Sequence, residues 1–287
     1  MSDNPLIKLG DLTKPATVLI EKISEAVGGV FKPWQIVRVA KAEAVADQLR
    51  AESHIQISEL QQRALRRFLV EEGKKQSNIE DITEKALPLL SEESKPQDIE
   101  DDWITNFFDK SRIISDSEMQ QLWSRVLASE ANAPGSFSRR TVNLISDLEK
   151  RDAELFAALC GFAWMIGSVT PLVFEAYDAL YERHGLNFDQ FRHLESLGLI
   201  QLEYLGAFTK LRMPKKITVS YFGRFVELTL PNERDNRLIT GRVLLTQAGQ
   251  ELARVCGAKH VDGFFETIFK QWEDQSFMPN IVTPPAT

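Results

Sequence analysis

The sequence predicts a mainly α protein: a helical N-terminal and central region followed by a C-terminal winged-helix-like α+β domain. Three observations predict it. Through residues 13–166, apolar residues recur at three- and four-residue spacing behind recognisable helix caps. A helix over residues 187–197 then runs into Leu197-Gly198-Leu199-Ile200 and extended chain, as the second helix of a helix-turn-helix ends. Strand-like stretches at 217–221, 224–230 and 242–245, with a turn or wing tip at 232–236, precede a last helix capped by Thr246.

The chain has 287 residues, of which 43% are hydrophobic and 26% charged, enough for about two domains with buried cores. The expected division is an amphipathic helix over 1–32, a long helix or helical hairpin over 33–95 and a central helical domain over 101–167. A winged-helix-like domain over 168–275 and a disordered tail over 276–287 follow.

Each element has its local reason. In the first helix Thr13 is the cap and Pro15 sits in the first turn, where a missing N–H costs little. Its apolar stripe is Ala16, Leu19, Ile20, Ile23, Ala26, Val27 and Val30. Residues 34–75 are rich in helix formers and reach Gly73 without proline or glycine. Their partly heptad spacing fits a short coiled coil or an antiparallel hairpin, not a long parallel coiled coil. A short helix over 78–90 leads into SEESKPQDIEDD, a polar stretch read as a flexible joint. Helices over 102–110 and 115–132 follow. Ser115 caps the second, and Glu118 completes a capping box.

Ser138, at the end of the 133–138 turn, caps the helix over 139–148. A helix over 152–166 comes next. Residues 155–174 carry no charge, which is about the length of a membrane span. Gly161, Gly167, Ser168, Thr170 and Pro171 interrupt it, so the reading is a buried helix, a break, and a second helix from Thr170-Pro171 to His184-Gly185.

The net charge of −7 excludes a general polyanion binder. The charge is nonetheless uneven. Residues 76–118 hold 12 acidic and 4 basic side chains, whereas residues 207–259 hold 10 basic and 4 acidic. Two cysteines, Cys160 and Cys256, do not make a disulfide scaffold and fit a reducing compartment. His54, His184, His193 and His260 lack metal-ligand spacing. MSDNPLIKLGDL lacks the basic start and long apolar run of a signal peptide, so the expected location is cytoplasmic, with a peripheral membrane association through the first helix as the alternative.

Two candidate sites emerge. Leu19, Ile20, Ile23, Val27 and Val30 could contact a membrane or a second subunit, although their helix lacks the basic polar face of a dedicated lipid anchor. Lys210, Arg212, Lys215, Lys216, Arg234, Arg237 and Arg242 could bind nucleic acid or another anion around the expected wing. Against this, Asp189 and Glu195 stand beside Arg192 and His193 on the expected recognition helix, a poor surface for phosphate. Trp103, Phe107, Phe108, Trp123 and Phe137 recur at helical spacing and are read as packed core. No nucleophile–base pair, phosphate loop, metal set or cofactor motif is visible, and no small-molecule substrate is implied.

DDWITNFFDKSRIISDSEMQQLWSRVLASEANAPGSFSRRT (101–141) resembles the bacterial family of domain of unknown function 2806. The likeness extends to KPATVLIEKISEAVGGVFKPWQI (14–36), QQRALRRFLVEEGKKQSNIEDITEKALPLL (61–90) and the Leu-Gly-Leu-Ile segment. The same central motif is similar, more distantly, to the abortive infection alpha group, through helical turns with a leucine–alanine pair followed by a serine cap. That likeness implies phage defence and supplies no catalytic residue. The expectation is a non-enzymatic interaction protein with a protein partner or self-association. A nucleic-acid-binding regulator is the alternative.

Overall fold

The computed structural model describes residues 13–27 and 59–283. Val30 and most of the helix expected over 34–75 lie outside the described residues. The chain divides into two compact units, with the boundary between Val142 and Asn143.

In the first unit, α1 (Lys14–Ala26) is capped by Thr13 Oγ1, which accepts from the Ala16 amide. Its stripe turns inward: Leu19 and Ile23 are fully buried, and Ala16 and Ile20 nearly so. They pack on the short 3-10 turn Pro96–Asp98 and on α3 (Asp101–Ser111). Between them in sequence is α2 (Glu59–Ala86), which is buried only from Asn78 onward, against α4 (Ser117–Asn132).

The core of this unit is the aromatic cluster read from the sequence. Trp103, Phe107, Phe108, Trp123 and Phe137 are all buried. Phe107 stacks on Trp103 at 5.2 Å and meets Trp123 edge-on. The Trp103 indole N–H donates to the Phe137 carbonyl at 2.7 Å, so the tryptophan buries no unpaired donor. The cap of α4 is Asp116, not Ser115. The Asp116 carboxylate accepts from the amides of Glu118 and Met119, while the Ser115 hydroxyl accepts from Asn78. The polar stretch 91–100 is fastened to α4. Asn132 accepts from the Ser91 amide and the Ser94 hydroxyl and donates to the Leu89 carbonyl, and Lys95 N–H donates to Ala131. Helix α5 (Arg139–Ser146) begins where the Ser138 hydroxyl accepts from the Thr141 amide, as read from the sequence.

The second unit overturns the mainly α expectation. After α6 (Lys150–Cys160), nine strands follow among the described residues, so the fold is α+β. Strands β1 (Ala163–Ile166) and β2 (Ser168–Pro171) form a hairpin where helix, break and helix were expected. Gly167, at φ +73°, makes the turn, and Pro171 is tolerated because β2 is an edge strand. Of the second helix, expected from Thr170-Pro171 to His184-Gly185, only α7 (Ala179–Glu182) forms. Helix α8 (Phe188–Ser196) is capped by Asn187 and leads into β3 (Ile200–Leu202).

The remaining strands are β4 (Phe208–Met213), β5 (Lys216–Tyr221), β6 (Arg224–Thr229), β7 (Asn236–Gly241) and β8 (Val243–Leu245). Helices α9 (Gln247–Ala253), capped by Thr246 as expected, and α10 (Phe264–Asp274) come next, and β9 (Met278–Val282) closes the unit. The large sheet is antiparallel in the order β2-β1-β5-β6-β9, and β3–β8 and β4–β7 form two separate ribbons.

A single wing between 224–230 and 242–245 is therefore not what forms. β6 pairs with β5 through a two-residue turn at Phe222-Gly223, both at positive φ, and its other edge takes β9. The tail expected to be disordered supplies that edge strand through residues 278–282. Gly241, at φ +101°, lets β7 approach the Val173 backbone, where an added Cβ would lie 2.1 Å from the Val173 oxygen.

Candidate interaction surface

The seven cations singled out around the expected wing are engaged to different degrees. Lys215 pairs with Glu233, and Lys216 with Glu227 at 2.8 Å. Arg242 is held by Glu175 at 3.5 Å and by the carbonyls of Phe174 and Tyr204. Lys210 is half-buried on β4, where burial lowers its ammonium below the usual lysine range, and it donates to the Ser168 hydroxyl. Arg212 and Arg237 are exposed on the β4–β7 ribbon, and Arg234 on the turn that precedes it. Arg212 sits at φ +56° in a register shift between Lys210 and Met213. At least three of the seven charges are thus offset within the protein, which weakens any phosphate-facing field.

The membrane or oligomer residues are placed as firmly. Leu19, Ile20 and Ile23 belong to the core of the first unit, and Val27 is half-buried at the end of α1. Their burial satisfies the stripe within the chain, so α1 would have to leave the unit to present it elsewhere.

A different surface stands out on the second unit, one that the sequence reading did not single out. Tyr177 (71% exposed), Phe188 and Tyr204 (49% exposed) form a row. Tyr177 stacks on Phe188 at 5.4 Å, and Phe188 meets Tyr204 edge-on at 6.1 Å. Phe188 and Tyr204 are fixed locally. Phe188 is the first residue of α8. The Tyr204 hydroxyl donates to Glu195 at 2.6 Å, a bond that raises the phenol above its ordinary range. Arg242 clamps the Tyr204 carbonyl from behind. Leu205, 97% exposed, extends the row, its amide bonded to the Glu203 carboxylate. The residues around it are mostly acidic: Glu175, Asp178, Asp189, Glu195 and Glu203 against Arg192 and Arg242. Tyr177 and Tyr204 are 27 residues apart. Only the fold joins them, so no sequence spacing could have revealed the row.

One further polar cluster lies between α6 and α8. His193 Nε2 is 2.7 Å from Asp152 Oδ1, beside Arg151, Leu155 and Gln190, around a cavity of about 410 Å³. Burial acts to raise the Asp152 carboxyl. The His193 bond, the Glu149 amide and the charges of His193 and Arg151 outweigh it and hold the group below its usual range. Asp152 also closes a capping box with Glu149 at the start of α6. The Asp152–His193 bond fastens α6 to α8. Cys160 and Cys256 are not disulfide-bonded, and burial, with Cys256 nearby, pushes the Cys160 thiol up. Among the described residues, no helix is long and apolar enough to cross a membrane.

No curated protein and no solved structure matches the chain. A family model described as "Protein of unknown function (DUF2806)" matches residues 62–269, most of the chain, and the protein belongs to that family.

Proposed function

We propose that this is a non-enzymatic, cytoplasmic interaction protein whose second unit holds a partner protein on the Tyr177–Phe188–Tyr204 row. The observation that carries the reading is the row itself: two exposed tyrosines packed on the half-buried Phe188 ring, one of them bonded to Glu195, with carboxylates beside them. Tyrosines of this kind dominate protein contacts because they add a large area at little conformational cost. The acidic edge selects the partner's chemistry. A segment with apolar side chains flanked by lysine or arginine would be attracted, and a phosphate backbone would be repelled. This surface favours a protein partner over nucleic acid.

A selection from a random peptide library on the full-length protein tests the reading. Enriched peptides should carry basic residues around an apolar or aromatic centre. Their Kd should rise at least about tenfold in the Tyr177→Ala, Tyr204→Ala variant, consistent with the loss of one interfacial anchor. Enriched peptides indifferent to that variant would remove the site. The resemblance to the abortive infection alpha group supports a bacterial phage-defence role. Plating phage on the native host with and without the gene tests it: more plaques without the gene support the role, and equal numbers remove it.

A further inference from the structure

Lys210 stands apart from the other six cations around the expected wing. Lys215, Lys216 and Arg242 are answered by carboxylates, and Arg212, Arg234 and Arg237 are exposed to water. Lys210 is in neither position. It is half-buried, it donates to the neutral Ser168 hydroxyl at 3.3 Å, and no carboxylate pairs with it among the described residues. Burial alone acts on its ammonium, with no opposing charge to offset it. A cation drawn out of water without a counter-charge is costly. The Ser168 hydroxyl accepts from Lys210 and donates to no acceptor among the described residues. Two adjacent donors are therefore available to one anion.

Lys210 lines a cavity of about 560 Å³, a volume typical of small-molecule sites. Strand order creates it. β1 pairs with β5 at Met165 and Ser220 alone and turns into β2 at Gly167, so the space beside residues 217–219 that a longer β1 would fill stays open. β4 supplies the rest of the wall. Lys210, Leu211 and Met213 all line the cavity, although regular alternation would send Leu211 to the face opposite Lys210. The register shift between Lys210 and Met213, with Arg212 at φ +56°, breaks that alternation. Such backbone strain collects where a ligand is held. We propose that this cavity binds an aliphatic carboxylate, its head on Lys210 and Ser168 and its chain along Ile166, Leu211, Met213, Ile217 and Val219. One carboxylate oxygen takes the Lys210 ammonium and the other the Ser168 hydroxyl, and the single negative charge matches the single cation. The site shares no residue with the aromatic row.

Calorimetric titration of the full-length chain with sodium octanoate tests the site. Octanoate should bind saturably, one per chain. Acetate, which lacks the chain, and 1-octanol, which lacks the charge, should each bind at least about tenfold more weakly, and so should octanoate to Lys210→Met. That variant keeps an unbranched side chain, so circular dichroism should be unchanged. A second measurement needs no variant. In the wild type, octanoate should slow acetylation of Lys210 by acetic anhydride, read by peptide mass spectrometry, and leave the exposed Lys74 unaffected. Should the variant fail to fold, this protection decides. Absence of saturable octanoate binding would overturn the proposal, as would 1-octanol bound as tightly as octanoate. Octanoate held equally well by folded Lys210→Met, or Lys210 acetylated as fast with octanoate as without it, would overturn it too.

Discussion

Glu130 holds together more of the first unit than any property of its sequence neighbourhood suggests. It is 2% exposed, and its carboxylate accepts from the amides of Gly135 and Phe137 and lies 3.2 Å from the Ser136 hydroxyl. It thus shapes the turn that delivers Phe137 to Trp103. Replacing it with alanine strands two amides in or beside the core, so Glu130→Ala should lower stability by roughly 2–4 kcal/mol. Urea unfolding measures this, and a loss below about 0.5 kcal/mol would contradict the role. Asp152 gives a pH-dependent prediction. Its carboxyl is depressed in the folded state, so its contribution is fully present above the ordinary value of 3.8 and is lost as pH falls through the lower folded value. Asp152→Asn should therefore flatten the acid limb of the stability curve below about pH 4 relative to wild type. Parallel curves for the two proteins would rule the carboxyl out as the cause. Neither role could be read from spacing, because Glu130 looks like an ordinary helix-surface acid and Asp152 meets His193 across 41 residues.

Elements with strong local chemistry were legible and those defined by pairing were not. Thr13, Ser138 and Thr246 cap helices where the sequence placed them, and the 103–137 aromatics form the core that their spacing implied. The β1–β2 hairpin was missed because a charge-free run with glycine and proline fits a broken helix and an edge hairpin equally well. Only the seat against β5 decides between them. Strand β9 was missed because a proline-bearing terminal stretch has the composition of a tail, and its strand pairing comes from the edge of β6. Deleting residues 277–287 should lower the melting temperature and expose that edge to intermolecular pairing. Calorimetry and light scattering would show both effects. An unchanged melting temperature would mean that β9 adds nothing to the sheet.

For the molecule as a whole, the uneven charge seen in the sequence is real but does not act as its linear distribution suggested. The basic region folds so that glutamates from neighbouring strands and loops answer Lys215, Lys216 and Arg242, and the mainly acidic residues beside the aromatic row come from residues 175–203, outside it. Net charge along a chain is visible in sequence; which charges face one another is decided by strand order. The central claim concerns the acid-edged aromatic row of the second unit. Its most direct test is equilibrium binding of one library-selected basic–apolar peptide and one labelled DNA oligonucleotide, each titrated from low to physiological salt, to wild type and to Tyr177→Ala, Tyr204→Ala. The prediction is peptide binding that persists at physiological salt and weakens at least about tenfold in the variant, with no oligonucleotide binding. Oligonucleotide binding that falls steeply with salt and is lost in Arg234→Ala, Arg237→Ala, while the tyrosine variant holds the peptide as wild type does, would contradict it.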